Sequence, residues 1–335
     1  MTAAGPLALT IGEPAGIAGE ITLKAWAAAQ TDKSIPPFVA IADADWLAAQ
    51  GRHLRFPVPV KQVASADQAM SEFYGALPVI PTPLSNAPEL GKLDPANARA
   101  VLRSIEEAVR LTSRGATSAV VTNPIHKATM YAGGFKFPGH TEYLAELCKP
   151  ATPVMMLAIE GLRVVLVTVH LPLAKAVTAL TTNAIAATAR AAHAALIRDF
   201  GIADPRLAVA ALNPHAGEDG ALGTEERDII APAIAKLTEE GISASGPHPA
   251  DTLFHAHARE RYDAAICMYH DQALIPLKTL DFAGGVNVTL GLPIVRTSPD
   301  HGTALDIAGH GKADPASLIA ALRLAFAMAQ KRAQG

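Results

Sequence analysis

The chain is organised around residues 267–314, CMYHDQALIPLKTLDFAGGVNVTLGLPIVRTSPDHGTALDIAGHGKAD. Its polar and charged groups stand between short apolar runs and include His270, Asp271, Lys278, Asn287, Arg296, Asp300 and His301. Buried polar atoms cost free energy unless they find partners, so a segment that only built core would not carry so many. Its glycines mark places where the backbone turns tightly or lets a ligand approach. We interpret this stretch as one wall of an active site.

Length and composition restrict the class of protein. The 335 residues favour two domains, because one hydrophobic core rarely serves so long a chain. Half of the residues are apolar, 18% are charged and the net charge is −3, as in a globular protein with a well-filled interior. No basic block suggests nucleic acid, and no apolar run reaches the ~18 residues of a membrane span. The two cysteines, Cys148 and Cys267, lie in apolar contexts, so we expect a cytoplasmic protein without disulfides.

Short apolar runs alternate with helical patterns in the first half of the chain. Residues 7–11 predict a buried strand, residues 19–29 a helix, and residues 38–41 and 77–80 two further strands. This alternation is typical of an α/β sheet. The turn after the first strand, GEPAG, does not have the spacing of the dinucleotide-binding GxGxxG motif. From this motif alone, a tight turn without a ligand is the better interpretation.

Three histidines share one pattern: an apolar run typical of a strand, a short interval and then the imidazole. They are His170 after RVVLVTV, His215 after RLAVAALNP and His270 after AAICMY. Ligands gather at the carboxyl ends of strands in α/β proteins. Three imidazoles there are candidate ligands for zinc or a similar divalent ion, with an open position for substrate. One such histidine alone would more often be structural, but three in the same position favour a metal.

A second set of side chains favours an anionic ligand. Lys278 and Arg296 lie in apolar segments on either side of Asn287. The planar guanidinium of arginine binds phosphate or carboxylate through two parallel hydrogen bonds. With His140 and Thr141, these groups could hold a small, doubly anionic ligand. For Lys278 alone, a structural salt bridge is an equally good interpretation.

Several ordered sequence blocks carry a family resemblance. They are IGEPAGIAGE, TNPIHK, PGHTEYLA, VTVHLPL, LNPHAGEDGALGTEE, HPADTLF, MYHDQALIPLK, VNVTLGLPIVRTSPDHGTALDIAG and GKADP. Spread from residue 11 to residue 315, they resemble the 4-hydroxythreonine-4-phosphate dehydrogenases of pyridoxal-phosphate biosynthesis. The first block departs slightly, since that family has Asp where Glu13 stands and Gly-Pro where Ala18-Gly19 stand. The carboxylate is retained.

The resemblance implies roles for individual residues. His170, His215 and His270 would bind one divalent ion, zinc first, with magnesium or cobalt as alternatives. The implied substrate contacts are His140, Thr141, Lys278, Asn287 and Arg296. The family is a homodimer with an active site shared between subunits, so His270 would come from the neighbouring chain.

The resemblance also implies a fold and a cofactor site. We expect an α/β protein with two α/β/α domains flanking a cleft, as in the isocitrate and isopropylmalate dehydrogenases, which bind NAD without GxGxxG. Residues 1–128 plus 297–335 would form the first domain. Residues 129–296 would form the second, with the metal and substrate residues and the dimer interface. The HGTALDIAG loop would hold the adenosine end of NAD or NADP. The expected cofactor contacts are Gly12, His301, Gly302, Thr303, Ala304 and Asp306.

These parts together predict a metal-dependent oxidation of 4-phosphooxy-L-threonine. A bound ion lowers the pKa of the substrate hydroxyl, a base removes its proton, and hydride passes to the nicotinamide. The resulting β-keto acid loses carbon dioxide and leaves 3-amino-2-oxopropyl phosphate. Lys278 and Asp251 are the candidates for proton transfer, although Lys278 could equally be a phosphate contact only.

Two alternative functions stay open. Related enzymes oxidise other phosphorylated four-carbon acids, such as threonate or erythronate phosphate, or a diol on a ring. A set of three histidines would also suit a metal-dependent hydrolase. The HGTALDIAG loop argues against a hydrolase, because a hydrolase does not need an adenosine pocket.

Overall fold

The computed structural model describes residues 5–334, which form two compact units. The first unit contains residues 5–151 and 292–330, and the second contains residues 152–291 and 331–334. Each unit has its own set of strands with helices packed against them. No helix of the described residues is long and apolar enough to span a membrane.

The described residues form strands at twelve places in the chain. These are β1 (Leu7–Thr10), β2 (Phe38–Ala42), β3 (Val60–Gln62), β4 (Leu77–Pro81), β5 (Val120–Val121), β6 (Val154–Ile159), β7 (Leu162–Leu166), β8 (Leu207–Ala210), β9 (Ala244–His248), β10 (Ala264–Cys267), β11 (Val286–Leu290) and β12 (Arg296–Pro299). The predicted strands at 7–11, 38–41 and 77–80 correspond to β1, β2 and β4.

The α-helices of the same residues alternate with the strands from β1 to α5, and less regularly after that. They are α1 (Ala18–Thr31), α2 (Ala44–His53), α3 (Ala66–Glu72), α4 (Ala98–Ser113), α5 (Lys127–Ala132), α6 (His140–Leu147), α7 (Leu173–Ala179), α8 (Thr182–Phe200), α9 (Ala231–Glu239), α10 (Ala250–Leu253), α11 (Ala256–Arg259), α12 (His270–Leu280) and α13 (Ala316–Arg332). The helix predicted at 19–29 is α1, so the alternation expected from the sequence is confirmed.

In the first unit the strands run in the order β3-β4-β2-β1-β5-β12, and every pairing is parallel. All residues of β1 and β2 are buried, which explains their continuous apolar sequences. The carboxyl ends of these strands therefore meet at one edge, where the turn after β1 and the loop after β12 both begin. The cofactor residues expected from the sequence lie in that turn and that loop.

In the second unit the order is β11-β6-β7-β10-β8-β9. The pairings of β6 with β7 and with β11 are antiparallel, and the remaining pairings are parallel. The neighbouring strands β7, β10 and β8 are the three that precede His170, His270 and His215. Because the three strands are parallel neighbours, these histidines follow the same edge of the sheet.

The boundaries of the units differ from the expected domain limits after residues 128 and 296. Tyr143 of α6 donates a hydrogen bond to Glu106 of α4 at 2.6 Å. Arg296 of β12 pairs with Val120 of β5. These contacts place the segments of His140 and Arg296 in the first unit, whereas the sequence expectation had put them in the second.

Candidate active site

The first unit holds a group of cations that suits an anion. Arg296, the first residue of β12, is only 3% exposed. Its Nη2 atom donates to Thr122 Oγ1 at 2.6 Å, because β12 pairs with β5 and Thr122 directly follows β5. Burial lowers the pKa of Arg296 to about 10, so the guanidinium stays charged at neutral pH. A buried cation of this kind favours a ligand of opposite charge.

His140, the first residue of α6, lies beside this arginine. Burial lowers the pKa of His140 well below its ordinary value, and the positive charges of Arg296 and Lys127 lower it further. The imidazole is therefore neutral at pH 7. Its Nε2 atom is buried and has no hydrogen-bond partner among the described residues. An incoming phosphate oxygen would satisfy this atom and would offset the two cations.

Lys127 is a member of this group that the sequence analysis did not name among the expected substrate contacts. It begins α5, and a Cβ added to Gly139 would lie 3.7 Å from its Nζ atom. The ammonium group therefore lies beside the first residues of α6. Its signals in the sequence are its place in the TNPIHK block and its closeness to the Gly/Pro-rich segment that precedes His140 and Thr141. We call Lys127, His140, Thr141 and Arg296 the anion group.

The second unit brings two of the three predicted metal ligands together. The rings of His170 and His270 have centroids 5.7 Å apart, and both residues line a cavity of about 260 Å³. His270 Nδ1 lies 2.7 Å from Asp271 Oδ1. A carboxylate at one ring nitrogen orients the imidazole and leaves the other nitrogen for a metal. These two residues therefore have the chemistry of metal ligands.

His215 does not complete this pair within one chain. Among residues 5–334, no group of three or more His, Cys, Asp or Glu side chains is placed so as to hold a metal ion. His215 is exposed and opens a left-handed run, 215–219, in which φ ranges from 45° to 79°. The sequence pattern located the strand ends correctly but did not predict the left-handed conformation of residues 215–219.

Glu226 stabilises the backbone just before this left-handed run. The sequence analysis did not identify it. Its Oε1 atom accepts hydrogen bonds from the backbone N–H groups of Leu212 at 2.8 Å and of Asn213 at 2.7 Å. Burial alone would raise the pKa of Glu226, but the hydrogen bonds from Asn213 and Leu212 lower it. A Cβ on Gly217 would come within 2.6 Å of Glu226 Oε2, so glycine is required there. The sequence spacing between residues 213 and 226 carries no recognisable signal.

The other predicted residues of the second unit lie on three different elements. Lys278 is half-buried on α12, and its Nζ atom lies 5.1 Å from the centroid of the Phe282 ring. Asn287 lies on β11, and its Oδ1 atom is buried without a hydrogen-bond partner among the described residues. Asp251 is exposed on α10. Of the two proton-transfer candidates, only Lys278 is partly withdrawn from solvent.

The predicted cofactor residues of the first unit lie in two adjoining segments. Ile17, in the turn after β1, donates its backbone N–H to the Thr303 carbonyl at 3.1 Å. A Cβ on Gly16 would lie 2.6 Å from the same carbonyl oxygen. Gly12 has a φ of 70°, and a Cβ there would approach Asn123 Cβ to 2.6 Å.

The remaining cofactor residues form the loop after β12. Ala304 has a φ of 43°, and His301 Nδ1 lies 2.9 Å from the Gly302 carbonyl. Asp306 is exposed in a short 3₁₀ turn that spans Leu305–Ile307. Both segments thus present backbone at the carboxyl edge of the sheet, where cofactors bind in α/β proteins.

The α/β sheets, the cations around a buried imidazole in the first unit and the paired histidines at strand ends in the second are together typical of an α/β enzyme. The chain belongs to the family of the pyridoxal phosphate biosynthetic protein PdxA, whose model matches residues 33–325. A relative from Caulobacter vibrioides, named 4-hydroxythreonine-4-phosphate dehydrogenase, is 56% identical over 98% of each chain.

Two solved structures extend this comparison. The crystal structure of 4-hydroxythreonine-4-phosphate dehydrogenase from Klebsiella pneumoniae matches with a TM-score of 0.89 and 37% identity, over 98% of this chain and 100% of that one. A terephthalate 1,2-cis-dihydrodiol dehydrogenase from Burkholderia xenovorans matches with a TM-score of 0.64 and 31% identity, over 96% and 97%. Since these relatives are dehydrogenases, the chain is an oxidoreductase with a mixed α/β fold.

Proposed function

We propose that the chain is a 4-hydroxythreonine-4-phosphate dehydrogenase of pyridoxal-phosphate biosynthesis. It oxidises 4-phosphooxy-L-threonine with NAD or NADP, and the product loses carbon dioxide to give 3-amino-2-oxopropyl phosphate. The observation that carries this proposal is the anion group, in which Arg296 and Lys127 flank the unsatisfied Nε2 atom of His140. Membership of the PdxA family supports the same substrate.

The anion group binds the phosphate end of the substrate. Arg296 supplies a permanent charge, and the neutral His140 ring donates from Nε2 to a phosphate oxygen. Hydrogen bonds between charged partners are about twice as strong as neutral ones. The N-terminus of α6, which begins at His140, adds its backbone N–H groups and its partial positive charge. Thr141, in the first turn of that helix, would contribute its hydroxyl.

His170, His215 and His270 would hold one divalent ion, with zinc expected and magnesium or cobalt as alternatives. When bound, the ion supplies the positive charge that lowers the pKa of a substrate hydroxyl. Asp271 orients His270 through the contact at 2.7 Å. Lys278 is the preferred group for proton transfer, because it is half-buried whereas Asp251 is exposed.

The homodimer with a shared site is part of the same proposal. Large apolar side chains are exposed near His170 and His270: Leu173 is 61% exposed on α7 and Ile275 is 64% exposed on α12. Exposed apolar surface around a site is typical of a protein interface. The arrangement of two domains around a cleft, as in isocitrate and isopropylmalate dehydrogenases, and the cytoplasmic location stay predictions.

Oxidation of a ring diol is the second candidate, and the likeness to the terephthalate dihydrodiol dehydrogenase favours it. The anion group favours a phosphorylated substrate, because a phosphate brings more negative charge to Arg296 and Lys127 than the carboxylate of a ring diol would. The hydrolase alternative does not agree with membership of a dehydrogenase family.

The test measures the formation of NADH by absorbance, with added divalent metal, for each compound of a substrate panel. The panel contains 4-phosphooxy-L-threonine, threonate phosphate, erythronate phosphate and a carboxylated cis-dihydrodiol. Turnover is expected to be highest for 4-phosphooxy-L-threonine, with carbon dioxide released in equal amount to NADH. If kcat/KM is higher for a sugar-acid phosphate or for the diol than for 4-phosphooxy-L-threonine, the proposed substrate is wrong.

A further inference from the structure

The two short helices that carry the anion group both contact α4 of the first unit. Lys127 begins α5, and His140 begins α6. A Cβ added to Gly133, just after α5, would collide with the Cβ of Ala98, the first residue of α4. The end of α5 therefore lies directly against the start of α4. The helix α6 reaches α4 in a different way, through one side chain.

That side chain is Tyr143, in the second turn of α6. It is 7% exposed, and its hydroxyl donates to Glu106 Oε1 at 2.6 Å. Glu106 lies in the middle of α4, beside the fully buried Ile105. Burial raises the pKa of Tyr143, and the hydrogen bond to Glu106 raises it further, so the phenol stays a donor at neutral pH. The contact ties α6 to a helix that is packed against the sheet.

The backbone of Tyr143 belongs to the same turn as the anion-binding residues. Its N–H donates to the Gly139 carbonyl at 3.2 Å, which closes the first turn of α6. This turn contains His140 and Thr141. Residues three apart in a helix are neighbours on its surface, so Tyr143 lies next to His140. A shift of the Tyr143 side chain would therefore shift the backbone that carries His140.

The Tyr143 ring is also held by an aromatic cluster in the segment that joins α5 to α6. Phe135 lies edge-on to it, with ring centroids 5.2 Å apart, and Phe137 lies at 5.1 Å. Tyr131 stacks on Phe135, and its hydroxyl donates to the Pro138 carbonyl at 3.1 Å. Aromatic pairs in such geometries stabilise each other beyond the burial of their area. The cluster would keep the ring of residue 143 in place after loss of its hydroxyl.

We infer that the hydrogen bond between Tyr143 and Glu106 positions His140 for phosphate binding. It holds the first turn of α6 beside the two cations of the anion group. Tyr143 and Glu106 are positioning residues, which act on the phosphate only through this turn. The inference rests on the proposed function in one respect, namely that the anion group binds phosphate.

The first test measures the binding of inorganic phosphate to the whole protein by titration calorimetry. Tyr143→Phe removes only the hydroxyl. The Kd for phosphate is expected to rise about threefold to tenfold, because part of the effect of one charge-assisted hydrogen bond is passed on to the ligand. The KM for 4-phosphooxy-L-threonine should rise by the same factor while kcat stays unchanged, as for a lost contact that is equal in ground state and transition state.

Tyr262→Phe is the matched control. Tyr262 is 8% exposed and also donates one hydrogen bond, to the Leu253 carbonyl at 3.0 Å, but it lies in the second unit. Both variants should lower the urea midpoint, and only Tyr143→Phe should weaken phosphate binding. Equal Kd values for phosphate in the two variants would show that Tyr143 is merely structural and would overturn the inference.

The second test separates the hydrogen bond from the charge of Glu106. Glu106→Gln and Glu106→Leu both remove the negative charge, but only glutamine keeps an acceptor for the Tyr143 hydroxyl. We expect Glu106→Gln to bind phosphate like wild type and Glu106→Leu to bind it like Tyr143→Phe. Loss of a negative charge by itself favours an anion, so weaker binding by Glu106→Leu would not come from the charge. Equal binding by the two Glu106 variants would overturn the inference.

A double variant and a neighbouring glutamate complete this test. Tyr143→Phe combined with Glu106→Leu should bind phosphate no more weakly than either single variant, because both changes break the same contact. Glu107→Leu is the control, since Glu107 lies on the same helix and accepts a hydrogen bond from Arg110 at 2.7 Å instead. It should leave phosphate binding unchanged. Additive losses in the double variant would show that the two residues act independently.

The outcomes distinguish this inference from the proposed function. If Lys127→Met weakens phosphate binding and Tyr143→Phe does not, the positioning role fails and the function stands. If no dehydrogenase activity is found but Tyr143→Phe weakens phosphate binding, the function fails and the positioning role stands. Phosphate binding that is absent from wild type, or unchanged in Lys127→Met, would overturn the anion group and this inference with it.

Discussion

Glu226 and Asn213 are joined by two hydrogen bonds, from the Asn213 backbone N–H to Oε1 at 2.7 Å and from its side-chain Nδ2 to Oε2 at 2.9 Å. The pair closes the loop in which His215 follows β8. Left-handed backbone costs about 1–2 kcal/mol per residue outside glycine. Glu226 therefore offsets the cost of presenting His215 at this edge of the sheet.

Glu226→Gln should weaken metal binding while the protein stays folded. The new amide group would place a donor against the Asn213 Nδ2 donor, so the loop would lose one of its two anchors. Loss of a group that orients a ligand typically lowers metal affinity 10–100-fold. Equilibrium dialysis against zinc or cobalt would measure the change, and Glu239→Gln, an exposed position on α9, is the control. Unchanged affinity would show that Glu226 does not position His215.

Lys127→Met should lower kcat/KM for the phosphorylated substrate about tenfold to a hundredfold. The reason is the loss of one charge-assisted contact, worth about 1.5–3 kcal/mol. The effect should appear mainly in KM and should be much smaller for free 4-hydroxythreonine, which has no phosphate. Lys136→Met, at an exposed lysine between α5 and α6, serves as the control. An equal loss of kcat/KM on both substrates would show that Lys127 does not bind the phosphate.

Subunit mixing would decide whether the metal site is shared. His170→Ala and His270→Ala are each expected to be inactive. In a mixed dimer with a shared site, one site carries both changes and the other carries neither. Random mixing makes about half of the dimers mixed, so about a quarter of wild-type activity should return.

The same experiment has a clear contrary outcome. His170 and His270 lie with ring centroids 5.7 Å apart within one chain, so a site built from both rings of one chain is the physical alternative. In that case every site of a mixed dimer lacks one histidine. No recovery after verified subunit exchange would therefore place both ligands in the same chain.

Asp199→Asn should destabilise the protein at neutral pH by about 3 kcal/mol, because it breaks a buried ion pair. Asp199 is 1% exposed and accepts hydrogen bonds from Arg332 at 2.7 and 2.9 Å. Burial alone would raise the pKa of Asp199, but Arg198 and Arg332 lower it below its ordinary value of 3.8. A carboxyl with a lowered pKa stabilises the fold above the unfolded pKa and loses this effect as the pH falls through the folded pKa.

The difference in urea midpoint between wild type and Asp199→Asn should therefore be largest at pH 7 and should shrink below about pH 4. Asp204 is an exposed carboxylate shortly after the end of α8, so Asp204→Asn is the control. It should leave the urea midpoint unchanged at both pH values. A difference that stays constant from pH 7 to about pH 3 would show that the charge of Asp199 is not the cause.

Sequence patterns predicted the parts of this molecule that depend on local periodicity. Apolar runs located β1, β2 and β4 correctly, because strands buried on both faces are continuously apolar. They also located the strand ends that precede His170, His215 and His270. The family blocks predicted His140 and Arg296 as site residues, and the structure places both in the anion group.

What the sequence did not reveal depends on contacts between distant residues or on unusual backbone. Arg296 donates a hydrogen bond to Thr122, which lies 174 positions away in the sequence. Local patterns do not predict such a contact, and so they did not predict that the segment of Arg296 belongs to the first unit. The left-handed run at 215–219 consists mostly of residues that rarely adopt such backbone, so no propensity predicts it.

The left-handed run at 215–219 also allows metal binding to be followed by hydrogen exchange. Exposed backbone in costly left-handed conformations opens more often than the buried strand before it, so its amide protons should exchange with deuterium sooner than those of β8. A metal on His215 would slow that exchange. Deuterium uptake over these few residues would thus record occupancy of the third ligand position in a protein that is turning over no substrate at all.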